Sequence, residues 1–173
     1  MSLDNTDAEA HWVLGATLIN TGQRNKDALA AYERALALNP NNADLLAEYG
    51  WNIPYLGRAE EAVKLIKKAM RLNPVYPDWY GQALMFALYN ARRYEEVVAV
   101  SKTINVRHVL THVVLAGSYA YMGQLDKAHL SAAHVLERNP DFTLGWWRER
   151  QYFLHQDTLD HYMDGLRKAG LPK

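Results

Sequence analysis

The 173-residue sequence predicts an all-α chain, an α-solenoid of stacked helical hairpins, on three observations. Residues 43–76, ADLLAEYGWNIPYLGRAEEAVKLIKKAMRLNPVY, hold two amphipathic stretches around a turn glycine, and relatives of this unit recur before and after it. Asn-Pro pairs close three of the units, at Asn39-Pro40, Asn73-Pro74 and Asn139-Pro140, spaced 34 and 66 residues apart. No stretch alternates apolar and polar residues as a half-buried strand would. Helices this short cannot bury both stripes against each other, so each hairpin needs a stacked neighbour.

Residues 4–7 are polar, with Thr6 or Asp7 as the expected N-cap of the first helix. In the first hairpin Leu14, Gly15 and Leu18 occupy the first helix, Gly22 the turn, and Ala28, Tyr32, Ala35 and Pro40 the second helix and its stop. In the second, Leu46, Tyr49, Gly50 and Ile53 share one face, and Gly57 supplies the residue tolerant of positive φ that ends the helix. Ala62, Leu65, Ile66, Ala69 and Leu72 then form the partner stripe, stopped by Asn73-Pro74. Pro54 breaks the local rule: it cannot donate to the Gly50 carbonyl, a defect of about 3 kcal/mol in a regular helix, so a kink is expected there.

The third unit, 78–108, keeps Leu84, Leu88 and Tyr94 but places Met85, Val97 and Ser101 at positions that are small or aromatic elsewhere. It lacks a closing Asn-Pro, and the second spacing falls two residues short of two periods, which predicts a shortened second helix ending near Asn105. The fourth unit, 109–142, returns to register with Leu115, Ala116, Tyr119, Gly123, Ala128, Ala132 and Val135. Beyond Pro140, FTLGWWRERQYFLHQ and DTLDHYMDGLRKAGLPK are expected to form two helices capping the apolar end of the stack. The second has Asp157 as N-cap, Leu159, Tyr162, Met163 and Leu166 as its stripe, and Gly170 and Pro172 as its stop. The expected organisation is one domain over 1–173, with hairpins at 8–42, 43–76, 78–108 and 109–142 and capping helices in 143–173.

Nineteen basic residues balance nineteen acidic ones, so no net field favours nucleic acid or an anionic membrane. The absence of cysteine excludes disulfides and thiolate chemistry. No apolar run approaches the roughly 18 residues of a membrane span, and the N-terminus lacks a signal-peptide pattern, so the expectation is a soluble cytoplasmic protein. Met1-Ser2-Leu3 reads as an expression remnant, and the chain as a possible fragment of a longer one. No compact catalytic or nucleotide-binding motif is present, so no catalytic residue, cofactor or enzymatic activity is assigned. His108 and His112 lie one helical turn apart and could face a metal, but their expected role is that of helix-face histidines, and no metal site is assigned. Glu60-Glu61 and Glu95-Glu96 fall in the first turns of second helices, where the helix dipole favours them.

The period of about 34 residues, with Leu46, Tyr49 and Ile53 as large residues, Gly50, Ala62 and Ala69 as small ones and Pro74 as terminator, resembles the tetratricopeptide repeat. That resemblance implies a right-handed superhelix whose concave groove is lined by first-helix positions. On this chain those positions include Trp12, Trp51, Tyr55, Trp79, Gln82, Phe86, Tyr89, Asn90 and Tyr121. The aromatics are candidate anchors for a partner, with Gln82 and Asn90 as polar contacts, unless they stack on one another or are covered by the Trp146-Trp147 segment. The carboxylate clamp of some members needs lysine, arginine and asparagine on groove positions that here carry Trp12, Ala16 and Glu48, so a chaperone-tail ligand is not expected.

A finer likeness links LNPVYPDWY (72–80), RNPDFTLGWWRER (138–150) and LDHYMDGLRKAGLP (159–172) to the C-terminal repeat region of bacterial class III adenylate cyclases. It implies a regulatory or interaction module of a larger signalling protein, without the cyclase's own metal-binding aspartates. The functional expectation is therefore a non-enzymatic module that binds a protein or peptide partner in an aromatic groove. Its rival is a homodimer in which the groove or the last helix docks on a second copy.

Overall fold

The computed structural model describes residues 7–20 and 26–173 and, among them, holds ten α-helices and no strand. These are α1 Ala8–Asn20, α2 Lys26–Leu38, α3 Ala43–Asn52, α4 Ala59–Leu72, α5 Asp78–Asn90, α6 Tyr94–Ser101, α7 Val109–Tyr121, α8 Leu125–Arg138, α9 Leu144–Arg148 and α10 Gln156–Lys168. Consecutive pairs α1/α2, α3/α4, α5/α6 and α7/α8 pack as hairpins, and each hairpin packs on the next, giving an α-solenoid. Thr6 and Gly22 lie outside the described residues.

Local chemistry sets the helix ends. The Asp7 carboxylate accepts the Glu9 and Ala10 N–H groups at 2.9 and 3.2 Å, and the side chains of Asn42 and Thr143 cap α3 and α9 in the same way. Between helices of a hairpin the chain reverses through one left-handed residue, Gly57 at φ 78° and Gly123 at φ 71°. The third hairpin uses Arg92 at φ 60°, a turn with no glycine to mark it, at a cost of about 1 kcal/mol. After each reversal the N–H of Arg58, Arg93 or Gln124 returns to the carbonyl of Ile53, Leu88 or Tyr119.

The small residues sit where helices touch. A Cβ added at Gly15 would lie 2.7 Å from the Tyr32 ring, and one at Gly50 would lie 2.5 Å from Ile66. Tyr32, Tyr49 and Tyr80 are buried as rings, while their hydroxyls donate to Glu48, Glu33 and Asp44 respectively, so no polar tip is orphaned. On one flank a repeated ion pair ties hairpins together. Arg58 holds Glu61 of its own hairpin and Glu33 of the previous one, and Arg93 holds Glu96 and Glu60 in the same geometry.

Several expectations are corrected. Leu72, assigned to the apolar stripe of its helix, is 43 % exposed because it ends α4 beside the exit loop, and Leu14 at its first-helix position is 36 % exposed because α1 has no described helix before it. Pro54 does not kink a continuing helix. Instead α3 stops at Asn52, and Ile53–Leu56 forms one 3₁₀ turn that absorbs the missing donor. The shortened α6 stops at Ser101, and Ile104 in the following turn fills the space against Gly81 that further helix would have occupied. The C-terminal segment departs most. It is not a pair of full helices: α9 has five residues, its last carbonyls being taken by the Arg150 and Gln151 side chains, and residues 149–155 run on without regular structure. α10 starts at Gln156 rather than after Asp157, and it packs chiefly on α7, the first helix of the fourth hairpin.

Candidate functional site

The face formed by the first helices α1, α3, α5 and α7 divides into two halves. In the N-terminal half, Trp12, Trp51, Trp79 and Gln82 are partly exposed. The Trp51 and Trp79 rings stand 6.4 Å apart at 46°, an open wedge rather than a stack. Beside it lies a cavity of about 330 Å³ lined by Ala16, Ile19, Tyr32, Glu48, Asn52 and the two indoles. The Glu48 carboxylate is fixed at its floor: the Trp12 indole N–H donates to one oxygen at 2.8 Å and the Tyr32 hydroxyl to the other at 2.7 Å. Both donors are neutral, and among the described residues no lysine or arginine lines this cavity or a second one bounded by Asp7, Glu9 and Trp12.

The C-terminal half is filled by the chain itself. The Phe153 ring lies 4.9 Å from Tyr55, 6.3 Å from Phe86 and 5.5 Å from Tyr162. The Leu154 N–H donates to the Tyr55 carbonyl at 2.7 Å. That carbonyl belongs to the 3₁₀ turn created by Pro54, so the broken helix rule supplies the acceptor. Tyr162 of α10 meets Phe86 and Tyr89 edge-on at 5.9 and 5.3 Å, and the Tyr89 hydroxyl donates to the Tyr162 carbonyl. Gly117 and Gly165 leave no room for a Cβ beside the Tyr89 hydroxyl, which lets α7 and α10 close on it. Tyr121 donates to the His161 carbonyl at 2.6 Å and stacks on the His161 ring at 4.5 Å.

The expected anchors therefore separate. Phe86 and Tyr89 are 1 % and 0 % exposed and are core, a correction to their reading as open anchors, because Phe153 and Tyr162 bury them. Tyr55 and Tyr121 are partly covered by the same segment. Asn90 donates to the Phe86 carbonyl and leaves its own carbonyl oxygen without a partner. Trp146 and Trp147 are not the cover: Trp147 only braces it by donating to the Tyr162 hydroxyl, and Trp146 carries Arg150 on its exposed face at 4.1 Å. Sequence reasoning missed Phe153 as a groove residue and Glu48 as its held charge. The available signal was an apolar Tyr152-Phe153-Leu154 run set among charged residues.

Among the described residues, the buried titratable groups make local contacts. Burial lowers His161, with Arg92 acting in the same direction, and its Nε2 meets the Tyr94 hydroxyl at 2.9 Å, a phenol whose pKa burial raises to about 12. His108 and His112 do not converge: the His108 Nδ1 accepts the Leu110 N–H, whereas the His112 Nε2 meets the Val106 carbonyl. Among the described residues no group of three or more His, Asp or Glu side chains could hold a metal, and no helix is long and apolar enough to cross a membrane.

Residues 8–42 match the tetratricopeptide repeat family model. None of the curated proteins matches the chain. Among solved structures the fold superposes on a thermophilic tetratricopeptide protein from Thermus thermophilus with a TM-score of 0.66, at 24 % identity over 94 % of this chain and 90 % of that one. It also superposes on PilW, a type IV pilus biogenesis factor, with a TM-score of 0.68, at 18 % identity over 95 % of this chain and 78 % of that one. A third neighbour is YrrB, described as a tetratricopeptide protein with an unusual peptide-binding site, at TM-score 0.61 and 19 % identity over 96 % of this chain and 91 % of that one. The shared fold is thus that of tetratricopeptide proteins.

Proposed function

We propose that this chain is a non-enzymatic protein-binding module that holds an extended peptide in the N-terminal half of its groove, against Trp12, Trp51 and Trp79. One observation carries the reading: the adjoining half already holds a stretch of chain without regular structure, with Phe153 set among aromatic rings and the Leu154 N–H on the Tyr55 carbonyl. A peptide gains affinity in this way from main-chain hydrogen bonds and specificity from a side chain in a pocket. The neighbouring half offers a cavity beside two partly exposed indoles. The peptide-binding site named for YrrB, on the same fold, agrees with this reading. On the likeness of residues 72–80, 138–150 and 159–172 to cyclase repeat regions, the module serves as the regulatory part of a larger signalling protein.

Selection from a displayed library of random 12-residue peptides tests the reading. Peptides that bind the intact chain and weaken at least about tenfold on a Trp51→Ala/Trp79→Ala double variant of equal helicity support it, since a buried aromatic anchor contributes about 2 kcal/mol or more. Peptides that bind both proteins equally, or no peptides at all, would overturn it. If light scattering shows a dimer that the double variant dissociates, the groove serves a second copy instead.

A further inference from the structure

The N-terminal half of the groove combines features that an apolar side chain would leave unused. Glu48 is a carboxylate held in place by two neutral donors, with no cation paired to it among the described residues. Taking a carboxylate partly out of water without a counter-charge is unfavourable, and the Trp12 and Tyr32 hydrogen bonds fix its position without neutralising it. Directly beside it, Trp51 and Trp79 open as a wedge with ring centres 6.4 Å apart, so a group in the mouth of the wedge lies within the ~6 Å reach of both indole faces. An indole face is the strongest aromatic seat for a cation. Asp7 and Glu9, which line a second cavity with Trp12, and Asp44, one turn before Glu48 on α3, are acidic as well.

We infer that the cavity floored by Glu48 and walled by Trp51 and Trp79 is a cation cage that receives a lysine or arginine side chain of the bound peptide. The inference rests on the groove reading above and names the ligand residue. The carboxylate supplies the counter-charge, the indoles cover the alkyl stem and the faces of the head group, and Asn52, buried on the cavity wall, borders it. A volume of about 330 Å³ accommodates either side chain. The same geometry disfavours an acidic residue, which would meet Glu48 directly.

The test uses small probes on the whole protein, so it does not depend on a selected peptide. Acetyl-arginine amide is titrated while the indole N–H resonances are followed by NMR, beside acetyl-citrulline amide, which has the same shape without charge. The Trp51 and Trp79 resonances are expected to shift saturably with the arginine probe and at least about fivefold more weakly with the citrulline probe, since a cation over an indole is favoured by about 1 kcal/mol. Glu48→Gln, which retains an acceptor for the Trp12 indole, should weaken the arginine probe about tenfold and leave the citrulline probe unchanged. Equal shifts by both probes, or no shift at Trp51 and Trp79 up to about 50 mM, would overturn the cage. If library peptides nevertheless depend on Trp51 and Trp79, the groove reading stands and only the cationic residue is lost. If the probe binds but no such peptide emerges, the reverse holds.

Discussion

The two halves of the face formed by the first helices start from the same repeat positions and end with opposite exposure. Trp51 and Trp79 on α3 and α5 remain accessible, whereas Phe86 and Tyr89, two and three turns further along α5, are core. Nothing within the hairpins decides this. The difference comes from Phe153, on the irregular stretch before α10, and Tyr162, on α10 itself, both more than 60 residues away in sequence. A groove position in a solenoid is thus a place, and whether it binds a partner or belongs to the fold depends on what else the chain brings there.

Replacing one aromatic on each side should break the symmetry most sharply. Tyr162 is fully buried against Phe86, Tyr89 and Phe153, so Tyr162→Ala should cost about 3–5 kcal/mol in urea unfolding. Trp51→Ala, with one face in solvent, should cost only about 1 kcal/mol and act on peptide affinity instead. Similar costs for both would mean that the halves are alike. A smaller effect belongs to the flank: Arg93→Ala severs Glu96 from Glu60 between neighbouring hairpins and should cost about 1 kcal/mol, diminishing in high salt because the side chains are exposed.

The smallest effect is a pH dependence to which the closed half contributes through His161. Burial holds His161 below its ordinary value, with Arg92 and Lys168 opposing its protonation and Asp164 favouring it. The unfolded chain therefore binds the extra proton first, and stability should be level above about pH 6.5 and fall as the pH is lowered through and below it. His161→Gln should flatten part of that slope in thermal unfolding followed from pH 7.5 to 5, the remainder belonging to His112, which burial also lowers. An unchanged slope would place the titrating group elsewhere.

The hairpins were legible because their determinants are local. Asn-Pro stops, turn glycines and 3.6-residue stripes set α3, α4, α7 and α8 within a few residues. Arg92 hid one turn, since nothing in its side chain signals a left-handed residue. Pro54 was legible as a defect but not as a 3₁₀ turn, since that outcome depends on Gly57 reversing the chain three residues later. The fate of the groove was not legible at all. The resemblance to the tetratricopeptide repeat implied groove positions for Trp12, Trp51 and Trp79, but a contact such as Leu154 to Tyr55 spans about a hundred residues and leaves no periodic trace.

The most direct measurement is an NMR spectrum of the five indole N–H groups recorded with and without a library-selected peptide. The resonances of Trp12, Trp51 and Trp79 should move while those of Trp146 and Trp147, on α9 just before the segment that closes the other half, stay in place. Movement of Trp147 with the first three unchanged would contradict the account, because the peptide would then be displacing the chain's own segment rather than filling the open half.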